Sequence, residues 1–287
     1  MTARRFKRRA LLTLATSPAL ERAVRAIPGA EARAWSSARR YVAGRDVGDA
    51  VAVVRRLDAV GLRASVDLFG ERTSPARAGE VVSGYRALAE RLAAETDAGA
   101  WLSLDLSHVA FDAGRLEQIA TAIPPGRRLQ VGAEEAAVTG RVLDLVIGAA
   151  AAGHPVEATL QANLRRSPAD ADRLAAAGVP VRLVKGAYVE SPADALPWGE
   201  PTESAYAGLA RRLAAAGVDL ALATHDRALR DRVLAELPIA RCELLLGVRP
   251  FDAIALAEAG RDVRIYVPYG DAWFRYFMRR RAEAQRA

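Results

Sequence analysis

Eight short runs rich in Val, Leu and Ile recur between residues 63 and 267, and the stretches between them carry apolar residues at the 3.6-residue period of a helix. The runs are Arg63–Leu68, Trp101–Leu106, Arg128–Val131, Val156–Gln161, Val179–Lys185, Asp219–Ala223, Arg241–Leu246 and Val263–Val267. Strand-like runs that alternate with helices read as βα units around a parallel sheet. Eight of them predict a closed (β/α)8 barrel of the TIM type. An open doubly wound sheet is the alternative, but no Gly-x-Gly-x-x-Gly fingerprint follows the first run to support it.

Helices are expected over Ala76–Glu95, Arg115–Ile123, Gly140–Ala152, Ala169–Ala177, Thr202–Ala215, Arg227–Glu236 and Phe251–Ala259. Several stop at an Ala-Gly step, where Gly153, Gly178, Gly217 and Gly260 supply the left-handed residue that closes a helix. Residues 1–60 read as a basic helical extension packed on the barrel, and 61–287 as the barrel itself, one domain overall.

Cys242 is the only cysteine, which excludes an internal disulfide and a cysteine-rich zinc site and points to a reducing, cytoplasmic compartment. With His108, His154 and His225 as the only histidines, a multi-histidine metal centre would need all of them, and no metal is expected. The formal charge of +7 attracts anionic partners in general. The arginines are scattered and aromatics few, so the stripe of cations with stacking rings that nucleic acid requires is missing. The longest apolar candidate for a membrane span, Ala10–Leu20, is short and broken by Ser17 and Pro18. It follows Arg4, Arg5, Lys7, Arg8 and Arg9 in the manner of a signal peptide, without a small-residue cleavage site behind it.

Residues at the C-terminal ends of barrel strands face the catalytic mouth. Those positions hold Asp67 with Glu71, Asp105 with His108, Glu134, Gln161, Lys185 with Tyr188, Thr224 with His225, Gly247 and Tyr266. The chain builds its cations from arginine almost throughout, and lysine occurs only at Lys7 and Lys185. A compact ammonium kept inside Arg182-Leu183-Val184-Lys185-Gly186-Ala187-Tyr188 indicates a point-charge role that a planar guanidinium does not fill. Arg182 and Lys185, turned together by Gly186, would bind phosphates at the rim; a salt bridge to a neighbouring carboxylate is the structural alternative. Thr224-His225-Asp226 adds a hydroxyl and an imidazole at the next strand end.

The tail reads Tyr266-Val267-Pro268-Tyr269-Gly270-Asp271, then Ala272 to Glu283. With Asp271 as N-cap, helical periodicity gathers Tyr276, Arg279, Arg280 and Glu283 on one side. An aromatic wall, two guanidiniums and a carboxylate make a receptor for a small amino acid. An amphipathic helix with a solvated Arg run touching anionic lipid uses the same residues.

These segments together resemble the proline dehydrogenase family, flavoenzymes that oxidise L-proline to Δ1-pyrroline-5-carboxylate. The resemblance rests on Asp67-Leu68-Phe69-Gly70-Glu71, Gln161-Ala162, Arg182 to Tyr188, Ala223-Thr224-His225 and the Tyr266 to Glu283 tail, and it runs from about residue 45 onward. It implies a distorted barrel holding FAD noncovalently, with the last helix over the mouth. It implies Arg182 and Gln161 near the flavin ring, Lys185 and Gly186 near the flavin or its phosphate chain, and Thr224 and His225 on the ribityl-pyrophosphate part. Arg279 and Arg280 would clamp the substrate carboxylate, Glu283 would face the ring nitrogen, and Tyr266, Tyr276 and Tyr188 would enclose the pyrrolidine. Glu71 would pair with Arg279 as a gate. Hydride would pass from substrate C5 to flavin N5, and electrons would leave to a quinone or another acceptor, consistent with peripheral contact on the inner membrane face. In the family a Lys usually stands where Leu104-Asp105-Leu106 stands here, and an Asp-x-Glu where Gly132-Ala133-Glu134 stands. The competing functions are the same flavin chemistry on another cyclic imino acid, a Schiff-base lyase using Lys185 as nucleophile, and a catalytically silent flavin-binding barrel.

Overall fold

The computed structural model describes residues 21–22, 26–70, 73–74, 76–96, 99–239 and 241–284. Its strands are β1 (Arg63–Leu68), β2 (Trp101–Leu104), β3 (Leu129–Val131), β4 (Val156–Gln161), β5 (Val181–Val184), β6 (Leu220–Ala223), β7 (Arg241–Leu245) and β8 (Asp262–Tyr269). Each pairs in parallel with the next, and β8 returns to β1, so the sheet closes in strict sequence order. Among the described residues, the helices α1 (Ala30–Ala38) and α2 (Val47–Asp58) precede the barrel. Connecting helices follow as α3 (Ala78–Glu95), α4 (Ala113–Ala120), α5 (Ala136–Ala151), α6 (Ser167–Ala176), α7 (Glu200–Ala215), α8 (Arg227–Glu236) and α9 (Pro250–Glu258), and α10 (Trp273–Ala284) comes last. The expected (β/α)8 architecture is therefore the observed one. Gly153, Gly178, Gly217 and Gly260 all have the positive φ read for them as helix closers.

Strand side chains alternate between two surfaces, and here the alternation divides apolar from polar. Outward positions such as Val66, Leu102, Leu129, Leu160, Leu183, Leu222, Leu244 and Ile265 join the helices in the main apolar core. Inward positions carry Trp101, Gln130, Glu157, Arg182, Arg241, Glu243 and Arg264, whose contacts span strands that are not neighbours. Gln130 Nε2 donates to Glu243 Oε2 at 2.9 Å and to Glu157 Oε1 at 2.9 Å. Arg264, fully buried, lies 3.5 Å from the centre of the Trp101 ring, and Arg128 and Arg241 flank the same ring at 5.1 Å. Burial pulls the Arg264 guanidinium down to about 10, still charged at neutral pH. Burial and the nearby charge of Glu243 push the Glu157 carboxyl up.

The last helix does not lie beside its strand. Tyr276 on α10 packs against Tyr266 of β8 and Phe69 after β1, with ring centroids 6.0 and 5.3 Å apart, and Arg280 one turn on is close enough to His225, after β6, to disfavour its protonation. The helix therefore crosses the mouth. The flank it leaves open is covered by α2, whose Ala50, Val51, Val53 and Val54 are buried and which packs against β1 and β8. A second apolar cluster joins Ala38 and Val42 to Trp273, Phe274, Tyr276 and Phe277, with the Trp35 and Trp273 rings 5.0 Å apart and tilted by 57°. The chain between α1 and α2 is tied to the rim by hydrogen bonds from Ala43 N–H to Pro268 O and from Gly270 N–H to Gly44 O.

Several expected boundaries move by one or more residues, β2 ending at Leu104 and β5 spanning Val181–Val184. α10 begins at Trp273, two residues after Asp271, whose side chain is 81% exposed and 4.0 Å from Arg45. Gly270, with φ of 114° and its N–H bonded to Gly44 O, turns the chain between β8 and this helix.

Candidate active site

The mouth is organised by Asp67 at the end of β1. Its carboxylate accepts the Tyr85 hydroxyl at 2.9 Å and the Tyr266 hydroxyl at 2.7 Å. Burial, then the charges of Asp67 and Asp105, push the Tyr266 phenol well above its ordinary range, so it stays a neutral donor with a fixed ring. Tyr276 closes on that ring, and the Arg280 guanidinium sits 4.9 Å over the Tyr276 face. Arg279 and Arg280 are both partly buried on α10. Glu71 and the side chain of Glu283 lie outside the described residues, and with them the expected Glu71–Arg279 gate.

On the far side, two side chains hold the segment after β3. Gln161 Nε2 donates to Glu134 O at 2.8 Å and Tyr188 Oη to Ala133 O at 3.1 Å. Glu134 in turn accepts the Ser107 backbone N–H at 2.8 Å. Gly186 has φ 109°, and a Cβ there would fall 2.0 Å from Asn163 Oδ1, so both backbone and space require glycine.

Arg182 and Lys185 each have carboxylates of their own. Arg182 Nε lies 2.9 Å from Glu243 Oε2 within the barrel, whereas Lys185 Nζ lies 2.5 Å from Asp226 Oδ2 and 3.1 Å from Glu203 Oε1. Thr224, buried, accepts the Asp226 backbone N–H. His225 Nε2 accepts the backbone N–H of Leu245 at 3.0 Å. A backbone N–H only donates, so the ring proton is assigned to Nδ1. That nitrogen is buried and has no hydrogen-bond partner among the described residues. Burial, reinforced by Arg280 and Arg249, holds the imidazole down at about 4, hence neutral. The site thus offers a desolvated N–H with no acceptor among the described residues, a partly exposed guanidinium paired with a lumen carboxylate, and a tyrosine wall under a cationic helix.

Residues 50–287 match the family model described as proline dehydrogenase. The chain belongs to the proline dehydrogenase family. Proline dehydrogenase 1 of Bacillus subtilis is 32% identical over 260 residues, which cover 86% of each chain. Proline dehydrogenase of Deinococcus radiodurans is 31% identical over 302 residues, 97% of this chain and 94% of the relative. Among solved structures, the fold resembles proline utilization A of Bdellovibrio bacteriovorus inactivated by N-propargylglycine, at a TM-score of 0.81 and 19% identity. That alignment covers 99% of this chain but 36% of the other. As a member of the proline dehydrogenase family, the protein is an oxidoreductase of proline catabolism. Sequence reasoning missed Glu243, Gln130 and Asn163, and took Asp67 only as one rim group among several.

Proposed function

We propose that the protein oxidises L-proline to Δ1-pyrroline-5-carboxylate with noncovalently held FAD. The observation that carries this reading is the stack of Arg280 on Tyr276 on Tyr266 across the barrel mouth, in a chain of this family. When bound, FAD supplies the two-electron acceptor that takes hydride from substrate C5 at its N5.

Every other task falls to side chains. Arg279 and Arg280 clamp the proline carboxylate, as forked donors do best. Tyr266, Tyr276 and Tyr188 enclose the pyrrolidine and exclude water, and Asp67 keeps the Tyr266 ring in place. Glu283 faces the ring nitrogen, and Glu71 closes on Arg279. Arg182 and Gln161 sit at the flavin ring; Lys185, Gly186, Thr224 and His225 serve its polar chain. His225 suits that task because its buried Nδ1–H needs an acceptor, which a phosphate or ribityl oxygen provides. Lys185, already shared by Asp226 and Glu203, orients through charge and is poorly placed as an amine nucleophile, which needs a free lone pair.

Electrons pass to a quinone, with the excess of 41 basic over 34 acidic residues favouring contact with an anionic membrane face from the cytoplasm. No helix among the described residues is long and apolar enough to cross a membrane. The division into a 1–60 extension and a 61–287 barrel is likewise our reading. The test is an anaerobic absorbance titration of the purified protein against a panel of cyclic amino acids. A yellow protein bleached by L-proline is expected; a colourless protein that cannot be reconstituted with FAD would overturn the assignment, and preferential bleaching by another imino acid would reassign the substrate.

A further inference from the structure

Arg182 points into the barrel two strands away from Glu243, and the strand between them makes the meeting geometrically feasible. On β6 the positions level with Arg182 and Val184 are Ala221 and Ala223. Both alanines lie outside the apolar core that takes in Leu220 and Leu222, as inward residues do. Their small side chains leave the gap across which the guanidinium of β5 reaches the carboxylate of β7, Nε to Oε2 at 2.9 Å.

Glu243 is itself fixed. Its side chain is 1% exposed, and Gln130 Nε2 donates to both of its oxygens at 3.1 and 2.9 Å. The other lumen carboxylate, Glu157, is taken up by Arg241 at 2.8 Å and Arg128 at 3.3 Å. Arg241 stands 4.0 Å from Glu243, so Arg182 is its nearest cation. Arg182 keeps 14% exposure where Arg241 keeps 7% and Arg264 is fully buried, which makes it the uppermost of these three lumen cations.

We propose that Glu243 is a positioning residue whose buried charge draws the Arg182 guanidinium into the lumen and so sets which edge of it faces the flavin. This rests on the reading above that Arg182 lies at the cofactor. The contact is an ion pair at 2.9 Å in which Nε makes no hydrogen bond, so the hold is one of charge, and removing that charge frees the rotatable bonds of the arginine stem.

The test is a double-mutant cycle on FAD affinity, measured by fluorescence of apoprotein reconstituted with FAD, using Arg182→Gln, Glu243→Gln and the pair. Glu243→Gln is expected to weaken FAD binding by about tenfold, within the range of direct ion-pair couplings. The double variant is expected to bind FAD no more weakly than Arg182→Gln alone. In turnover, kcat should fall while KM for proline stays within about twofold, since Glu243 touches no substrate. Losses that multiply independently in the cycle would overturn the proposal, because a merely structural carboxylate gives that result. Should circular dichroism show Glu243→Gln unfolded, Glu243→Asp takes its place in the cycle, since it keeps the charge and withdraws it from Arg182. A wild type that never binds FAD would instead sink the functional reading, and this proposal with it. Independent losses in a wild type that binds FAD and is bleached by proline remove only the role of Glu243.

Discussion

The carboxylate of Asp105 fills the space in front of Gly132: a Cβ placed on Gly132 would fall 1.9 Å from Asp105 Oδ1 and 3.1 Å from its Cγ. Asp105 and Gly132 are therefore in contact at the ends of β2 and β3. Gly132→Ala should destabilise the protein by about 1–3 kcal/mol, the usual cost of overpacking. The double variant Asp105→Ala/Gly132→Ala should recover most of it. Urea denaturation of these two variants and of Asp105→Ala checks this; additive losses would show that the two positions are independent.

Tyr266→Phe removes the 2.7 Å donor to Asp67 and leaves the Tyr85 bond in place. A loss of about 1–3 kcal/mol in stability is expected, because the acceptor is a buried carboxylate. KM for proline should rise with bound flavin retained. Equal KM in the variant and the wild type would separate Tyr266 from the substrate wall.

Arg279→Ala or Arg280→Ala should raise KM for proline about thirtyfold or more, the equivalent of about 2 kcal/mol for one charged carboxylate contact. Flavin content, read from the visible spectrum of the purified variants, should stay near one per chain. Loss of flavin in either would contradict the division between substrate and cofactor residues.

His225 sets a pH signature. Its imidazole is held at about 4 in the folded chain against 6.5 for the ordinary group, so the unfolded state binds more protons between those values. A depressed value gives stability that is complete above the unfolded pKa and is lost as pH falls through the folded one. The contribution is on the order of 3 kcal/mol, disappearing from about pH 6.5 down to about pH 4. His225→Gln should flatten that part of the curve of unfolding free energy against pH. An unchanged slope would mean that other groups carry it.

The barrel was legible because its outward face repeats one signal. Runs such as Val156–Gln161 and Arg63–Leu68 coincide with β4 and β1 residue for residue, and the Ala-Gly stops mark four helix ends. The last strand runs further than expected, to Tyr269, since its bonds to β1 continue to the Leu68–Tyr269 pair after its pairing with β7 ends at Tyr266, where Pro268 has no ladder N–H to lose. The lumen was hidden for a different reason. Gln130 and Glu243 are 113 residues apart and meet only once the sheet closes. The alternation Arg241-Cys242-Glu243-Leu244 and Val156-Glu157-Ala158 carried the signal, polar at each inward place, but not the partners. At the mouth, the tail motif located Tyr276 and Arg280, while the ion-pair alternative for Lys185 could be weighed but not decided without Glu203 and Asp226 in view.

Because α2 shields the strand made last, the earliest and latest parts of the chain depend on each other. Val263, Ile265 and Val267 leave the ribosome into a slot whose outer cover was synthesised some two hundred residues before, on the order of ten seconds or more at ordinary translation speeds. Until then α2 has only an unfinished sheet to rest on. Shortening the chain from either side of that joint would leave a sticky apolar seam, and the first symptom would be aggregation during synthesis ahead of any loss of catalysis.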